Sequence, residues 1–124
     1  MWVKANPNPA GLERSDCVVR AICIATNRTW LRVFDELCSV ARQDYGMPSE
    51  NSVWGHYLYM LGFVPFMLKR SCPQCTTVSE FTRWYPKGTY IIGTGTHAVA
   101  VVDGDYYDSW DSGDQIPSYF WKIA

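Results

Sequence analysis

Hydrophobic residues recur every three to four positions in the first half of the chain, a spacing that predicts amphipathic helices. The first predicted helix spans residues 17–25 and follows a capping residue, Asp16. The second spans 30–41 behind the cap Thr29, with charged residues on its outer face. A third begins at residue 49 or 51 and runs to 61. Three helices in succession are therefore expected before any strand.

Short apolar runs separated by turn residues follow in the second half, a pattern that predicts strands. The runs are residues 63–68, 89–92, 96–102 and 105–110. Pro65 confines the first run to the edge of a sheet, because proline has no N–H to donate. Asp103 and Gly104 separate the last two runs and predict a two-residue hairpin turn. The tail, residues 116–123, is expected to pack back on the body.

A short helix is also predicted over residues 77–84, since Thr77 and Glu80 have the spacing of a capping box. The opening residues 1–15 are rich in Pro, Asn and Gly and are expected to be ordered coil. Helices first and antiparallel strands last predict an α+β fold, with N-terminal helices packed on a C-terminal antiparallel sheet. The length suits a single domain over residues 1–124.

The net charge and the hydropathy of the chain argue against two classes of binding partner, nucleic acids and membranes. Eleven Lys and Arg against twelve Asp and Glu give a formal net charge of -1. Surfaces that bind nucleic acid are usually basic, so no nucleic-acid partner is expected. No apolar run approaches the roughly 18 residues of a membrane span, and the first residues do not resemble a secretory signal. We therefore expect a cytoplasmic protein with no membrane partner.

The five cysteines are an odd number in a chain without a secretion signal, which favours reduced thiols over a disulfide scaffold. Cys17 stands at the start of a predicted helix, where free N–H groups carry a partial positive charge that stabilises a thiolate. Cys23 and Cys38 fall on apolar helix faces and are interpreted as core residues. Cys17 is the candidate nucleophile; the alternative is a small buried hydrophobic residue.

A thiol nucleophile needs a base, and the chain offers His56 and His97. His56 lies in the middle of the third predicted helix. His97 begins a strand after the small-residue segment 93–96, where a side chain can point into a cleft. His97 is therefore the candidate base; the alternative is a strand-end histidine that bonds to the backbone.

The predicted hairpin also supplies an acceptor to orient that base. With a two-residue turn at 103–104, counting back along both strands places His97 opposite Trp110. Side chains alternate between the two faces of a sheet, so Asp108 shares the face of His97 as its diagonal neighbour. Asp108 is thus predicted to hold the imidazole; the alternative is a solubilising residue at a turn or edge.

The order Cys17, His97, Asp108 resembles that of the papain-like cysteine peptidases. In that family the thiol heads a long buried helix, the histidine heads a strand, and the acceptor lies in an Asn-Ser-Trp motif on the next strand. His97-Ala-Val-Ala100 and Asp108-Ser-Trp110 resemble those two segments. The chain is also similar to small, minimal papain-like proteins of bacteria, their phages and mobile elements, with its helix opening Asp-Cys-Val-Val-Arg-Ala.

The resemblance implies a papain-like fold and a thiol-dependent hydrolase that cleaves amide or isopeptide bonds through an acyl-enzyme. It implies a peptide, a protein or a small amide as the substrate, and neither a metal nor a cofactor. Cys17 would be the nucleophile, His97 the proton carrier and Asp108 the orienting acceptor. Trp110 would screen the acceptor–imidazole pair from water.

The chain departs from the family pattern before the thiol. The family's oxyanion Gln stands a few residues before the nucleophile, and no Gln precedes Cys17. Asn8 is the candidate substitute, and the backbone N–H of Cys17 is the second candidate donor. The departure motivates a second hypothesis, in which a catalytically weak or inactive papain-like fold serves as a protein- or ligand-binding module.

Other residues have more than one interpretation. Cys72 and Cys75 have a CxxC spacing, which suits incidental loop thiols, half of a zinc site or a redox pair. Arg20 lies one turn after the candidate thiol and is expected to form a structural salt bridge to Glu13 or another acid, or to help hold the thiolate. Asp16 is expected to cap the helix.

Overall fold

The computed structural model describes residues 1–68 and 75–123. Over those residues the fold is α+β, as predicted, with four helices and one six-stranded sheet. The helices are α1 (Cys17–Thr26), α2 (Trp30–Asp44), α3 (Asn51–Met60) and α4 (Val78–Trp84). The strands are β1 (Trp2–Lys4), β2 (Phe63–Met67), β3 (Thr89–Gly93), β4 (Ala98–Val102), β5 (Asp105–Asp108) and β6 (Tyr119–Ile123).

Local capping signals set the ends of the helices. The Thr29 hydroxyl accepts the N–H of Arg32 at 3.2 Å at the start of α2. Thr77 and Glu80 form a reciprocal capping box at the start of α4, which satisfies two backbone donors there. Helix α1 ends at Asn27, which adopts the left-handed conformation with φ of 55°. The four predicted helices are present, with ends close to those expected from the sequence.

The strands are ordered β1-β5-β4-β3-β6-β2 across the sheet. Strand β1 is parallel to β5, and every other neighbouring pair is antiparallel. Strand β2 lies at one edge, as Pro65 predicted, because an edge strand leaves one row of backbone groups unpaired. The sheet is therefore mixed rather than purely antiparallel.

Both termini contribute more to this sheet than the sequence indicated. The opening residues, expected to be coil, contain β1, whose Trp2 indole donates to the Asp108 carbonyl at 3.2 Å. The tail forms β6, which is inserted between β3 and β2. The expectation of a C-terminal, purely antiparallel sheet is therefore wrong, because the sheet also contains β1 from the N-terminus, which is parallel to β5. A three-residue strand carries too little alternation to be recognised, and its partner lies about a hundred residues away.

The β4–β5 hairpin has the predicted register, with Val102 opposite Asp105 and Val101 opposite Tyr106. Asp103 and Gly104 both have positive φ, at 47° and 85°, as primed two-residue turns require. Strand β4 begins directly after His97 and β5 ends at Asp108. The turn therefore brings the two residues to the same end of the hairpin.

Helices cover both faces of the sheet. On one face Ile22 of α1 and Leu37 of α2 share a core cluster with Ala98 and Ala100 of β4. On the other face α4 packs on the residues of β4 that alternate with these, such as Val99. Helix α1 thus lies directly on β4, with its first turn near the beginning of that strand. No helix within residues 1–68 and 75–123 is long and apolar enough to cross a bilayer.

The α1–sheet contact gives a stability prediction. Ile22 is fully buried in this contact, and Ile22→Ala should lower the free energy of unfolding by about 2–5 kcal/mol, because it removes apolar contacts and leaves a cavity. Leu31→Ala changes a side chain of α2 that is 61% exposed. It should cost no more than about 0.5 kcal/mol. Urea unfolding measures both values, and equal losses would contradict this packing.

Candidate active site

Cys17 is the first residue of α1, and its side chain is half-buried. The first N–H groups of a helix have no intrahelical acceptor, and their partial positive charge favours an anion there. The thiol opens onto a cavity of about 440 Å³, whose wall also includes His97 and Ala98. The location is the one that a reactive thiol requires, at a helix terminus and accessible from a cleft.

His97 lies between Cys17 and Asp108. Its Nε2 is 2.6 Å from Oδ2 of Asp108, and its ring lies beside the Cys17 side chain in the wall of the same cavity. Since Nε2 is engaged with Asp108, Nδ1 is the nitrogen left for Cys17. The imidazole thus lies between the thiol and the carboxylate in a single row, and its contact with Asp108 is the one that the hairpin register predicts.

The surroundings of Cys17 favour its ionised form. Burial opposes ionisation, but the interactions of the thiol with His97 and with the Ala98 backbone outweigh it. The positive charges of His97 and Arg20 act in the same direction, so the pKa of Cys17 lies below its ordinary value of 9.0. Burial also opposes the imidazolium, yet Asp108 and Cys17 raise the pKa of His97 to about 9. Together the shifts favour a thiolate–imidazolium pair.

Asp108 is the buried end of this row, with 4% of its surface exposed. Its Oδ2 accepts from His97 and from the Ser112 hydroxyl at 2.7 Å, and its Oδ1 accepts from the Ser109 backbone N–H at 2.8 Å. Burial raises the pKa of a carboxyl group, but the hydrogen bonds from His97 and Ser112 outweigh it and lower the pKa of Asp108. Asp108 is therefore an ionised acceptor with both oxygens held.

Trp110 covers one face of the His97 ring. The two ring centroids are 4.9 Å apart with an interplanar angle of 37°, and Trp110 is 41% exposed. An indole in this position limits access of water to the imidazole from that side. The position suits the screening role that the family resemblance implies, and that role stays a prediction.

Asn8 is not brought to the thiol in the way expected of an oxyanion donor. Its Nδ2 donates to Oδ2 of Asp16 at 3.0 Å, and its Oδ1 accepts from the Ala10 backbone N–H at 2.9 Å. It is not among the described residues that line the cavity. The structure thus groups Cys17, His97, Asp108 and Trp110 and leaves Asn8 outside.

Arg20 belongs to the site more closely than the sequence indicated. Its guanidinium is buried, with Nε 2.9 Å from Oδ1 of Asp16. Its Nη1 lies 2.8 Å from the Ser109 hydroxyl and 3.5 Å from Oδ1 of Asp108. The expected salt bridge is formed with these two acids rather than with Glu13. The i, i+4 spacing of Asp16 and Arg20 predicts the contact between these two residues. It does not predict the contact of Arg20 with Asp108.

Asp16 stands at the N-cap position of α1, but its carboxylate makes no capping hydrogen bond, so the expectation that it caps the helix is wrong. The buried carboxylate instead accepts from Asn8, the Arg14 backbone, Arg20 and Trp30. Burial acts to raise the pKa of Asp16, but these donors prevail and lower it. A charged acceptor therefore organises the segment directly before the nucleophile.

The wall of the cavity is largely apolar. Its apolar members are Val18, Val19, Trp30, Phe34, Leu37, Pro48, Trp54, Ala98 and Tyr119. Trp30 and Phe34 stack with their centroids 5.0 Å apart. Burial and the Cys17 charge raise the pKa of Tyr119 to about 12, which reflects the position of its hydroxyl near the thiol. The volume is in the range of small-molecule and side-chain pockets, roughly 300–1,000 Å³.

Tyr119 reaches this position because Gly93 has no side chain. A Cβ at residue 93 would lie 2.5 Å from the Tyr119 ring, closer than carbon atoms approach. Strands β3 and β6 pair Gly93 directly with Tyr119, so the ring folds over the glycine. The sequence alone shows residues 93–96 as a small-residue segment before His97 and gives no sign of the contact between Gly93 and Tyr119.

The other titratable candidates differ from Cys17 and His97. Cys23 is a core residue, as predicted, and burial raises its pKa to about 11. Cys38 is half-buried in α2 rather than fully in the core. His56 pairs with Asp44 at 2.8 Å and is not among the described residues that line the cavity.

The CxxC segment falls partly outside the described residues. Cys72 lies within 69–74. Cys75 is disulfide-bonded, so the expectation of reduced thiols is wrong for this residue, whereas Cys17, Cys23 and Cys38 are free thiols. Within residues 1–68 and 75–123, no three His, Cys, Asp or Glu side chains are grouped closely enough to hold a metal ion.

Comparisons with protein-family models, with curated proteins and with solved structures find no match to this chain.

The first prediction for the site concerns the His97 imidazole. In the folded protein its NMR titration should have a midpoint of about 9, because Asp108 and Cys17 stabilise the charged ring. Asp108→Asn should move the midpoint down towards 6.5, since the neutral amide no longer attracts the proton's charge. A His56→Ala variant assigns the resonances. A His97 midpoint at or below 6.5 in the unaltered protein would contradict the stabilisation of the charged imidazole by Asp108 and Cys17.

Proposed function

We propose that this protein is a thiol-dependent hydrolase of amide or isopeptide bonds, with a papain-like core and Cys17 as its nucleophile. One observation carries the proposal: the His97 ring lies between the Cys17 side chain, beside which it lines the cavity, and the buried carboxylate of Asp108, which its Nε2 contacts at 2.6 Å. A helix-leading thiol, an imidazole and an orienting acceptor are the parts that nucleophilic acyl transfer needs. The order of these residues along the chain, and the strand that follows His97, support the papain-like assignment.

The acylation step begins from the thiolate–imidazolium pair. The Cys17 sulfur attacks the carbonyl carbon of the substrate, a C–S bond forms, and the carbonyl π electrons move onto oxygen. His97 then gives its proton to the leaving nitrogen as the C–N bond breaks and the carbonyl re-forms. The free amine departs and leaves a thioester on Cys17 with a neutral imidazole beside it.

Water completes the cycle. Neutral His97 takes a proton from a water molecule, whose oxygen attacks the thioester carbonyl. The C–S bond breaks, the acid product leaves, and the sulfur regains its negative charge beside the imidazolium. Asp108 remains ionised throughout and holds the ring so that the same nitrogen faces the sulfur in both half-reactions.

The oxyanion of the tetrahedral intermediates needs donors near the sulfur. The backbone N–H of Cys17, at the head of α1, is one donor in that position. Asn8, the candidate second donor, is held by Asp16 instead. One oxyanion donor contributes about 3–4 kcal/mol to transition-state stabilisation, so its loss would reduce turnover strongly.

The surroundings of Asn8 favour the second candidate function, a papain-like fold that binds a protein or ligand at the cavity without turnover. The apolar cavity suits either function. The two are separated by the reactivity of Cys17, because a binding module has no need of a thiolate and a hydrolase depends on one.

The test is selective alkylation of the folded protein at neutral pH. Iodoacetamide should modify Cys17 at least about tenfold faster than Cys23 or Cys38, because the thiolate is the reactive species and the surroundings of Cys17 favour its ionised form. His97→Ala should remove most of this advantage, and Cys17→Ala all of it. Peptide mapping by mass spectrometry reads out each site.

Cys38→Ala is the matched control, since it removes a half-buried thiol of α2, and it should leave the rate at Cys17 unchanged. Equal labelling of Cys17 and Cys38 in the folded protein would rule out the hydrolase and leave the binding module.

A further prediction concerns the acyl group that the cavity accepts. The stacked Trp30 and Phe34 rings favour a bulky apolar side chain near the scissile bond. A peptidyl chloromethyl ketone with two phenylalanines should therefore inactivate Cys17 faster than the same reagent with two aspartates. Phe34→Ala should reduce this preference by about tenfold, and Leu31→Ala, on the exposed side of α2, should not. Equal rates for both reagents would contradict an apolar subsite.

A further inference from the structure

Arg20 is a buried cation whose guanidinium contacts two different parts of the fold. It is 7% exposed, and it lies one turn after Cys17 on α1. On one side Nε contacts Asp16, the residue directly before the nucleophile, at 2.9 Å. On the other side Nη1 contacts the Ser109 hydroxyl at 2.8 Å and Oδ1 of Asp108 at 3.5 Å. One planar side chain therefore spans from the head of α1 to the end of β5.

The two carboxylate oxygens of Asp108 have different partners. Oδ1 faces Arg20 and the Ser109 backbone N–H, whereas Oδ2 faces His97 and Ser112. A carboxylate with donors on both oxygens cannot rotate without breaking them. The orientation that directs Oδ2 at His97 thus depends in part on the cation at Oδ1.

The same cation separates two buried carboxylates. Asp16 and Asp108 are 6% and 4% exposed. Among the residues that the structure describes, Arg20 is the side-chain cation that contacts both carboxylates, and His97 contacts Asp108. Without it Asp16 would keep its neutral donors, and Asp108 would face His97 as its single charged partner. Two buried negative charges near Cys17 would then oppose the thiolate.

We propose that Arg20 is a positioning residue of the candidate site, which fixes the head of α1 and the Asp108 carboxylate relative to each other. The inference rests on the proposed reactivity of Cys17. Arginine suits this role because its planar fork meets acceptors on two sides at once, whereas the single ammonium of lysine is a point charge on a flexible stem. Arg20 acts through Asp16 and Asp108 and has no contact with the reacting atoms in this mechanism.

The test is the pH dependence of Cys17 alkylation by iodoacetamide. The charged and titratable groups around the thiol are Arg14, Asp16 and Arg20 on the α1 side, His97 before β4, Asp108 on β5 and Tyr119 on β6. Arg20→Met removes the charge and both contacts, and it should raise the midpoint of the Cys17 profile by about one pH unit. Arg20→Lys keeps the charge but loses the two-sided contact, and its midpoint should also rise, by less.

Arg28→Met is the matched control. Arg28 pairs with Glu36, with Nη1 3.1 Å from Oε1, and it is not among the described residues that line the cavity. It should leave the Cys17 midpoint unchanged. Ser109→Ala retains every charge and removes only the hydroxyl contact to Nη1, so it provides a test even if Arg20→Met does not fold. Its midpoint should shift upward in the same direction.

The outcomes distinguish a failure of the proposed function from a failure of the positioning role of Arg20. A wild-type midpoint at the ordinary thiol value of 9.0 would overturn the proposed function itself. A lowered wild-type midpoint that stays unchanged in both Arg20→Lys and Ser109→Ala would overturn the positioning role, because Arg20 would then act only through its charge. A loss of folding stability in these variants with an unaltered midpoint would likewise overturn it.

Discussion

The packing of helix α1 against strand β4 is the constraint on which the candidate site depends. Cys17 begins α1 and His97 directly precedes β4, so the thiol meets the imidazole only while these elements keep their relative position. Ile22 and Ala100, both fully buried, belong to the core cluster that joins them. Burial of apolar surface has no directional preference of its own. The polar row therefore supplies the orientation, and the core supplies the free energy that holds it.

Much of this arrangement follows from local sequence. Thr29 predicts the start of α2, and the two-residue turn at 103–104 predicts the register of the β4–β5 hairpin, which in turn predicts the contact between His97 and Asp108. These inferences succeed because each depends on residues close together in the chain, where capping, turn chemistry and side-chain alternation act directly. The choice of Cys17 over Cys23 has the same basis, since the position of a residue within a helix is a local property.

The remainder depends on contacts between distant segments. Arg20 and Ser109 are 89 positions apart, and no local pattern connects them. The same holds for β1, which pairs with β5, and for β6, which enters the sheet between two strands that precede it in the chain. For Asn8, a contact made in the fold prevents the role that its residue type suggests. Its amide was a suitable donor by residue type, but the buried carboxylate of Asp16 is a stronger acceptor and holds it.

The proposed chemistry requires that folding stabilises a thiolate at Cys17. The most direct measurement is the ultraviolet absorbance of the thiolate, taken as the difference between the folded protein and its Cys17→Ser variant from acid to alkaline pH. The account predicts a Cys17 step below 9.0 that moves upward when His97 is replaced by Ala. A step at or above 9.0 that is the same with and without the imidazole would contradict it.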